Sequence, residues 1–476
     1  MNTRLKTWFG KHASLMKTIY VLAWPAVLEQ LLQTVVQYTD TAMVGRISPQ
    51  ASAATGLTTT MTWLVNAPMF ALGIGFLAYI AESIGAKDEE RARKTGIQAL
   101  YFIAAIGLIL MILTLSISPF LPGWLGAEEE IRANASIYFG IICAPMLFRA
   151  ATIILGSVLR GVGDTKHPMI ANLFMNLTNI VLNFFLIYET RTASVLGMEL
   201  WIPGAGWGVA GAAIATAISY CVGGVMMFHT YWNNPRLSPK GHSLRFDSYV
   251  SRRCLRIAFP VALERISACL GQVVFTSLVT RLGTMALATH SIAITAEQAC
   301  YIPGYGMQAA ASTLAGNSLG ERNEVKFRQV TKIITAIAVI LMTITGALVF
   351  LFPGFMMSIF TTDEQVIAGG IRVLRIVSVS EPIFAALIIL EGIFNGIGDT
   401  KAPFFFSILS MWGVRILGTC LCLFVLDAGL EAVWICMVCD NVTRCILLAS
   451  RFVRGGWKKR FAQDRVNGKD KHVVNM

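Results

Sequence analysis

Charge is what this sequence has least of. Charged residues make up 14% of its 476 positions, and 55% are hydrophobic. A soluble domain carries about 25% charged residues. So little polar surface cannot cover the core of a water-soluble enzyme of this length, and the abundance of apolar side chains excludes disorder. Histidine is scarce: His12, His167, His229, His242, His290 and His472 are scattered. No pairing of histidines with a carboxylate suggests catalysis, and an enzyme is not expected. Ten cysteines are present. Cys436-Met-Val-Cys439 and the nearby Cys420 and Cys422 lie in apolar runs with no second pair and no histidine at ligand spacing, so they are expected to pack between helices rather than bind zinc. Taken as facing the cytoplasm, they are also not expected to form disulfides. Residues 1–17 are short and basic, without a cleavable leader pattern.

The apolar residues come in runs long enough to cross a membrane, at roughly 20 residues each. Twelve are expected, near 17–40, 52–82, 96–118, 133–158, 168–188, 207–230, 253–280, 285–316, 330–352, 366–393, 403–426 and 430–452. The chain is nevertheless basic, with 39 Lys+Arg against 27 Asp+Glu, net +12. Of the 39, 29 fall in the N-terminus, the even-to-odd loops and the C-terminal tail, six in the odd-to-even loops, and four within spans (Arg149, Arg265, Arg415, Arg444). The positive-inside rule then places both termini in the cytoplasm of a multi-pass protein of the cell (inner) membrane. The tail beyond 453 is expected to lie against anionic lipid headgroups. No aromatic-basic module suggests nucleic acid.

The chain repeats itself at an offset of 235 residues. Trp24-Pro25-x-x-x-Glu29 matches Phe259-Pro260-x-x-x-Glu264, and Ser83-x-Gly85 matches Ser318-x-Gly320. Gly161-Val-Gly163-Asp164-Thr165-Lys166-His-Pro168 matches Gly396-Ile-Gly398-Asp399-Thr400-Lys401-Ala-Pro403. An offset spanning six helices preserves orientation. The expected fold is therefore an all-α integral membrane protein of twelve helices in two six-helix pseudo-symmetric lobes. The N-terminal lobe covers 1–231 and a cytoplasmic linker 232–252, either loop or interfacial helix. The C-terminal lobe covers 253–453 and a basic tail 454–476. The Gly-Asp-Thr-Lys blocks lack the spacing of a phosphate-binding loop. They are expected to be turns, with glycine reversing the chain, Asp capping the next helix and Pro in its first turn.

Where the repeat breaks, chemistry is concentrated. Asp40 aligns with Phe275, Asn179 with Val414 and Asn183 with Gly418. On the first span Glu29, Gln33, Gln37 and Asp40 occupy an arc of roughly 80° at 100° per residue. On the fifth, Asn172, Asn176, Asn179 and Asn183 occupy about 60°. Neither stripe suits lipid, where an ionisable group costs about 2.5 to 3.5 kcal/mol. A carboxylate beside carboxamides offers hard oxygens for a small cation or a proton; interhelical hydrogen bonding is the alternative role for the asparagines. Glu29 and Glu264 are repeat-related, each four residues past a proline, which favours a shared structural task at the kink. Glu297 breaks the symmetry from the other lobe and is a candidate for substrate contact or proton carriage. Arg415 is expected to neutralise a carboxylate, with Glu381 or Glu391 as possible partners.

Pro25-x-x-x-Glu29-Gln30, Thr39-Asp40-Thr-Ala-Met-Val-Gly45 and the paired Gly-x-Gly-Asp-Thr-Lys turns resemble the multidrug and toxic compound extrusion (MATE) family, in its NorM-like and DinF-like bacterial branches. The resemblance covers residues 17 to 453. It implies an antiporter, without cofactor, that exports cationic amphipathic drugs and toxic compounds in exchange for H+ or Na+ by alternating access of the two lobes. It also implies a cation site at Asp40, with Asn179, Asn183 and Thr216 around it, and no metal beyond Na+ there. Glu29, Gln33, Gln37, Asn176, Glu264 and Glu297 are cavity candidates. NorM-like members also use acidic residues on the seventh and tenth spans; here Glu264 lies on the seventh but nearer the proline, and Phe384 stands at the tenth-span position. The expected partners are small organic cations and membrane lipids, and the expected state is a monomer. A lipid-linked precursor flippase of the same superfamily is the alternative, disfavoured because embedded acids outnumber embedded bases.

Overall fold

The computed structural model of the chain describes residues 3–45, 47–195 and 198–462. The first half contains α1 (Thr3–Gly45), α2 (Pro49–Gly85), α3 (Glu89–Ile117), α4 (Leu121–Trp124), α5 (Glu129–Cys143), α6 (Met146–Gly161), α7 (Lys166–Leu186) and α8 (Gly208–Asn233). The second contains α9 (Ser248–Thr280), α10 (Thr284–Gly320), α11 (Glu324–Leu351), α12 (Pro353–Ser358), α13 (Glu364–Ser378), α14 (Glu381–Gly396), α15 (Lys401–Ser410), a π-helical turn (Met411–Ile416), α16 (Leu417–Phe424) and α17 (Leu430–Val453). Among the described residues, nine helical spans and two bent pairs are long and apolar enough to cross a membrane. The remaining span, α10 (eighth in chain order), is continuous over 37 residues but less apolar, since it carries Glu297, Gln298 and Pro303.

Three expectations change. The fourth and tenth spans are each two helices, α5 with α6 bent by 52° and α13 with α14 bent by 56°. Pro145 and Pro382 stand at these bends, where proline cannot continue the backbone ladder. The connection after α7 is an antiparallel hairpin, β1 (Glu189–Val195) and β2 (Met198–Ala205), so the fold is not purely helical. The linker is turns and extended chain only as far as Asp247; residues 248–252 are the first turn of α9. Asp247 caps that helix by accepting from the Tyr249 and Val250 amides. Gln98 on α3 donates to the Arg245 carbonyl and accepts from the Asp247 amide, which straps the linker to the N-terminal lobe.

The basic tail is also more than a surface segment. Trp457 and Phe461 are buried against Phe327 in the C-terminal lobe, and Arg460 donates to the Ile397 carbonyl. Residues 463–476 lie outside the described residues. The two Gly-Asp-Thr-Lys blocks are turns, with Gly163 and Gly398 at positive φ. Asp164 accepts from the His167 amide, as a cap does. Asp399 instead pairs with Arg451 at 2.7 Å.

The pseudo-symmetry is built into the core. Ile19, Leu22 and Ala23 of α1 pack in the C-terminal lobe's core, and Cys254 and Ala258 of α9 pack in the N-terminal lobe's. Cys254 and Ala258 are the repeat partners of Ile19 and Ala23, so each lobe lends the first half of its first span to the other. At this same basic end, α2 crosses α10 through repeat-related pairs. A Cβ on Gly85 would stand 2.1 Å from the Asn317 carbonyl oxygen, and one on Gly320 2.0 Å from that of Glu82. Only glycine lets the backbones approach so closely. Gly320→Val is therefore expected to separate the lobes at this end. In a chain retaining Cys254 as its sole cysteine, maleimide labelling of that buried thiol should rise from near zero. Unchanged labelling would show that the crossing absorbs the side chain.

Candidate functional site

The N-terminal lobe carries a polar cluster made by α1, α7 and α8. Asp40 sits near the end of α1 away from the basic turns. Asn183, one helical repeat beyond Asn179 on α7, donates from Nδ2 to Asp40 Oδ1 at 2.6 Å. Asn179 sets its carboxamide nitrogen 2.7 Å from the same oxygen and 3.3 Å from Oδ2, and its oxygen meets the Thr216 hydroxyl of α8 at 3.2 Å. Four of the residues expected around a cation are thus in mutual contact.

This geometry has a chemical consequence. A bare carboxylate only accepts, so it requires the Asn179 nitrogen to face it. Turned over, the Asn179 amide presents its oxygen to Asp40, accepts from Asn183 at 3.1 Å and donates to Thr216 at 3.2 Å, while Thr216 donates to the Ala212 carbonyl at 2.9 Å. That arrangement suits a protonated acid, whose O–H donates to the amide. One carboxamide therefore accommodates both proton states of Asp40 without moving a helix. Asn183 Oδ1 is buried and unpartnered, which leaves a further hard oxygen beside the carboxylate.

The rest of the two stripes divides. Glu29 and Asn172 lie toward the basic end, where Asn172 donates to Glu29 at 2.8 Å and Arg160 of α6 bridges both Glu29 oxygens at 3.2 Å. Arg160 also accepts from Thr313 of α10 through its carbonyl, so Glu29 braces the lobe junction, apart from the Asp40 cluster. Gln33 and Gln37 are exposed. Leu31 and Val35 on the same stretch of α1 are exposed too, so this part of the helix packs sparsely all round. Asn176 is buried, and its Nδ2 has no partner.

The C-terminal lobe holds a second constellation. Glu391 of α14 pairs with Arg444 at 3.2 Å, Arg444 reaches Asp440 at 3.6 Å, and Arg415 closes on Asp440 at 2.7 Å. Ser410 donates to Asp440 Oδ1 and to its carbonyl. Glu264 and Arg265 of α9 stand within charge range of Glu391, giving three acids against three arginines. The partner of Arg415 is thus Asp440, and neither Glu381 nor Glu391 pairs with it. Asp440 lies one turn before Arg444 in an apolar run, and that i,i+4 spacing was the available signal for it.

Arg415 rides on the π-helical turn, which inserts one residue where the C-terminal lobe counterpart of the Asn179 stretch falls, and so rotates the helix face. Glu29 and Glu264 both face arginine, but from different spans: Arg160 on the fourth, Arg444 on the twelfth. Ion pairing holds Glu29, whereas Glu264 has Arg444 only within charge range. Glu297 is buried beside Tyr301, with Arg415 in charge range. Glu381 is buried with an unpartnered Oε2. The Cys422 and Cys436 sulfurs are 3.7 Å apart between α16 and α17. Their turn is at the end of the bundle opposite the basic loops.

Two pseudo-equivalent helical lobes with ionisable side chains buried inside membrane spans define a membrane transporter. The chain belongs to the MatE family, whose model matches residues 25–185 and 260–421. It is 27% identical to the "Probable multidrug resistance protein NorM" of Thermotoga maritima, over 95% of this chain and 96% of that protein. Among solved structures, a MATE transporter crystallised in complex with MaD3S superposes with a TM-score of 0.83 at 25% identity, over 93% of this chain and 97% of the other. A MOP superfamily transporter from Pyrococcus furiosus, described as having a binding pocket of reversed polarity that suggests a different function, superposes with the same TM-score and identity, over 94% and 96%. The drug-resistance relative does not favour the flippase alternative.

Proposed function

We propose that the protein is a cation-coupled exporter of cationic amphipathic compounds, with Asp40 as the group that carries the coupling H+ or Na+. The observation that carries this reading is the Asp40–Asn179–Asn183–Thr216 cluster, a carboxylate inside a membrane span served by amides that suit either of its charge states. In the cycle, an ion entering from the side opposite the basic loops neutralises Asp40. The Asn179 amide reverses to match, and the cluster loses its affinity for a cationic solute in the same cavity. Lobe rocking then exposes the site to the other side, where the ion leaves. The strong asymmetry of Lys and Arg supports the basic end as cytoplasmic, in a cell membrane. The contacts of Gly85 and Gly320 at that end support a lobe pair closed there.

The test is counterflow of ethidium in proteoliposomes under separate proton and sodium gradients. The expected result is accumulation driven by one gradient and collapsed by the matching ionophore. Equal ethidium movement with no gradient of either ion would overturn the coupling.

A further inference from the structure

Of the four arginines deepest in the apolar runs, three have acidic neighbours. Arg415 and Arg444 pair with Asp440 and Glu391, and Arg265 stands in charge range of Glu264 and Glu391. Arg149 of α6 is different. Among the described residues no carboxylate lies within ion-pair distance of it. Its guanidinium rests on the face of Tyr220 at 4.3 Å, and its Nε is buried without a hydrogen-bond partner. A cation held inside a membrane span without a counter-ion is costly and points to a functional role.

Its position gives that role a direction. Tyr220 follows Thr216 by one turn on α8, and Thr216 is the residue that meets Asn179 beside Asp40. Asn176, with its unpartnered Nδ2, precedes Asn179 by one turn on α7. At that depth α7 and α8 meet through Met175 and Gly223. Tyr138 of α5 is close enough to both Tyr220 and Asp40 to sense their charge. Asp40 and Arg149 are therefore both tied to α8 of the N-terminal lobe, with the guanidinium roughly one to two helical turns (~5–11 Å) further toward the basic end. Stacking on Tyr220 fixes the plane of the guanidinium, whose donors match a planar, two-oxygen anion.

We propose that Arg149, assisted by Asn176, anchors a carboxylate of the transported solute, so that this cavity takes zwitterionic amphiphiles, amine toward Asp40 and carboxylate toward Arg149. This rests on the export reading above and narrows its substrate class. A purely cationic solute leaves Arg149 uncompensated, whereas a zwitterion neutralises both ends of the cavity.

The probes are a rhodamine bearing a free benzoate, which is zwitterionic, and its methyl ester, which is a cation. Binding to the purified protein is followed by fluorescence anisotropy, and movement by counterflow. The wild type is expected to bind the free acid more tightly than the ester. In Arg149→Gln the acid-to-ester affinity ratio should fall about tenfold or more, as for loss of a charge-assisted pair, and Arg149→Lys should restore part of it. A ratio unchanged in Arg149→Gln, or a wild type that binds the ester as well as the acid, would overturn the proposal. The expected binding ratios without movement of either dye would instead sink the export reading and leave the anchor standing.

Discussion

Asp40→Asn is expected to abolish gradient-driven transport while leaving the fold intact. Asparagine keeps the shape and can still meet Asn183 and Asn179, but it cannot take up or release a proton and has no net charge for Na+. An ion that loses its carboxylate in this low-dielectric site gives up more than ~1.4 kcal/mol, so coupled flux should fall by more than about tenfold. Ethidium counterflow under each gradient is the measurement, with circular dichroism and thermal unfolding confirming the fold. Wild-type flux by this variant under both gradients would remove Asp40 from the mechanism. Asp40→Glu separates charge from geometry. It keeps the titratable group but overruns the 2.6 Å contact with Asn183, so reduced coupling of the same ion is expected.

The largest stability effect should come from Arg444→Met. Arg444 bridges Glu391 and Asp440 and lies in charge range of Glu264. Removing it strands Glu391 among buried helices, where breaking one partner of a buried pair costs about 3–5 kcal/mol. Thermal unfolding in detergent, read by tryptophan fluorescence, should show a clear drop in melting temperature. Adding Glu391→Gln should recover much of it, because the stranded charge disappears with its partner, whereas Asp440 keeps its pair with Arg415. No drop in the single variant would show that water or protonation compensates that acid. Arg149→Met in the N-terminal lobe should behave oppositely, with little loss or a gain in stability, since Arg149 has no acid to strand.

The contrast between these two arginines shows how far sequence reasoning reached. Both were visible as cations inside apolar runs. Only the fold separates the one locked between acids from the one stacked on a tyrosine face. Asp40, Asn179 and Asn183 were legible because each breaks a 235-residue repeat and because helical periodicity set them on two narrow stripes. Thr216 came through family resemblance. Asp440 was overlooked even though it stands one turn from Arg444. The Glu29 to Arg160 bridge joins residues 131 apart in sequence, and no periodicity encodes which loop brings them together. The bends at Pro145 and Pro382 sat inside runs that were apolar throughout, so hydropathy treated each as one span. The π-turn is likewise silent in sequence, because one extra residue per turn changes neither composition nor length.

By itself the sequence determined that the chain is a membrane bundle, that it has two related halves, which end carries the basic loops, and which polar residues have no place against lipid. These follow from the cost of placing charge in hydrocarbon and from the fixed pitch of the helix, both local. The tertiary structure alone decided which stripe meets which. It set Asp40 against α7 and α8, Glu29 against α6, Asp440 between two arginines, and Arg149 against an aromatic face with its charge unanswered. Those pairings depend on how helices distant in sequence cross, and the crossings are set by close packing, down to two glycines that let the lobes touch.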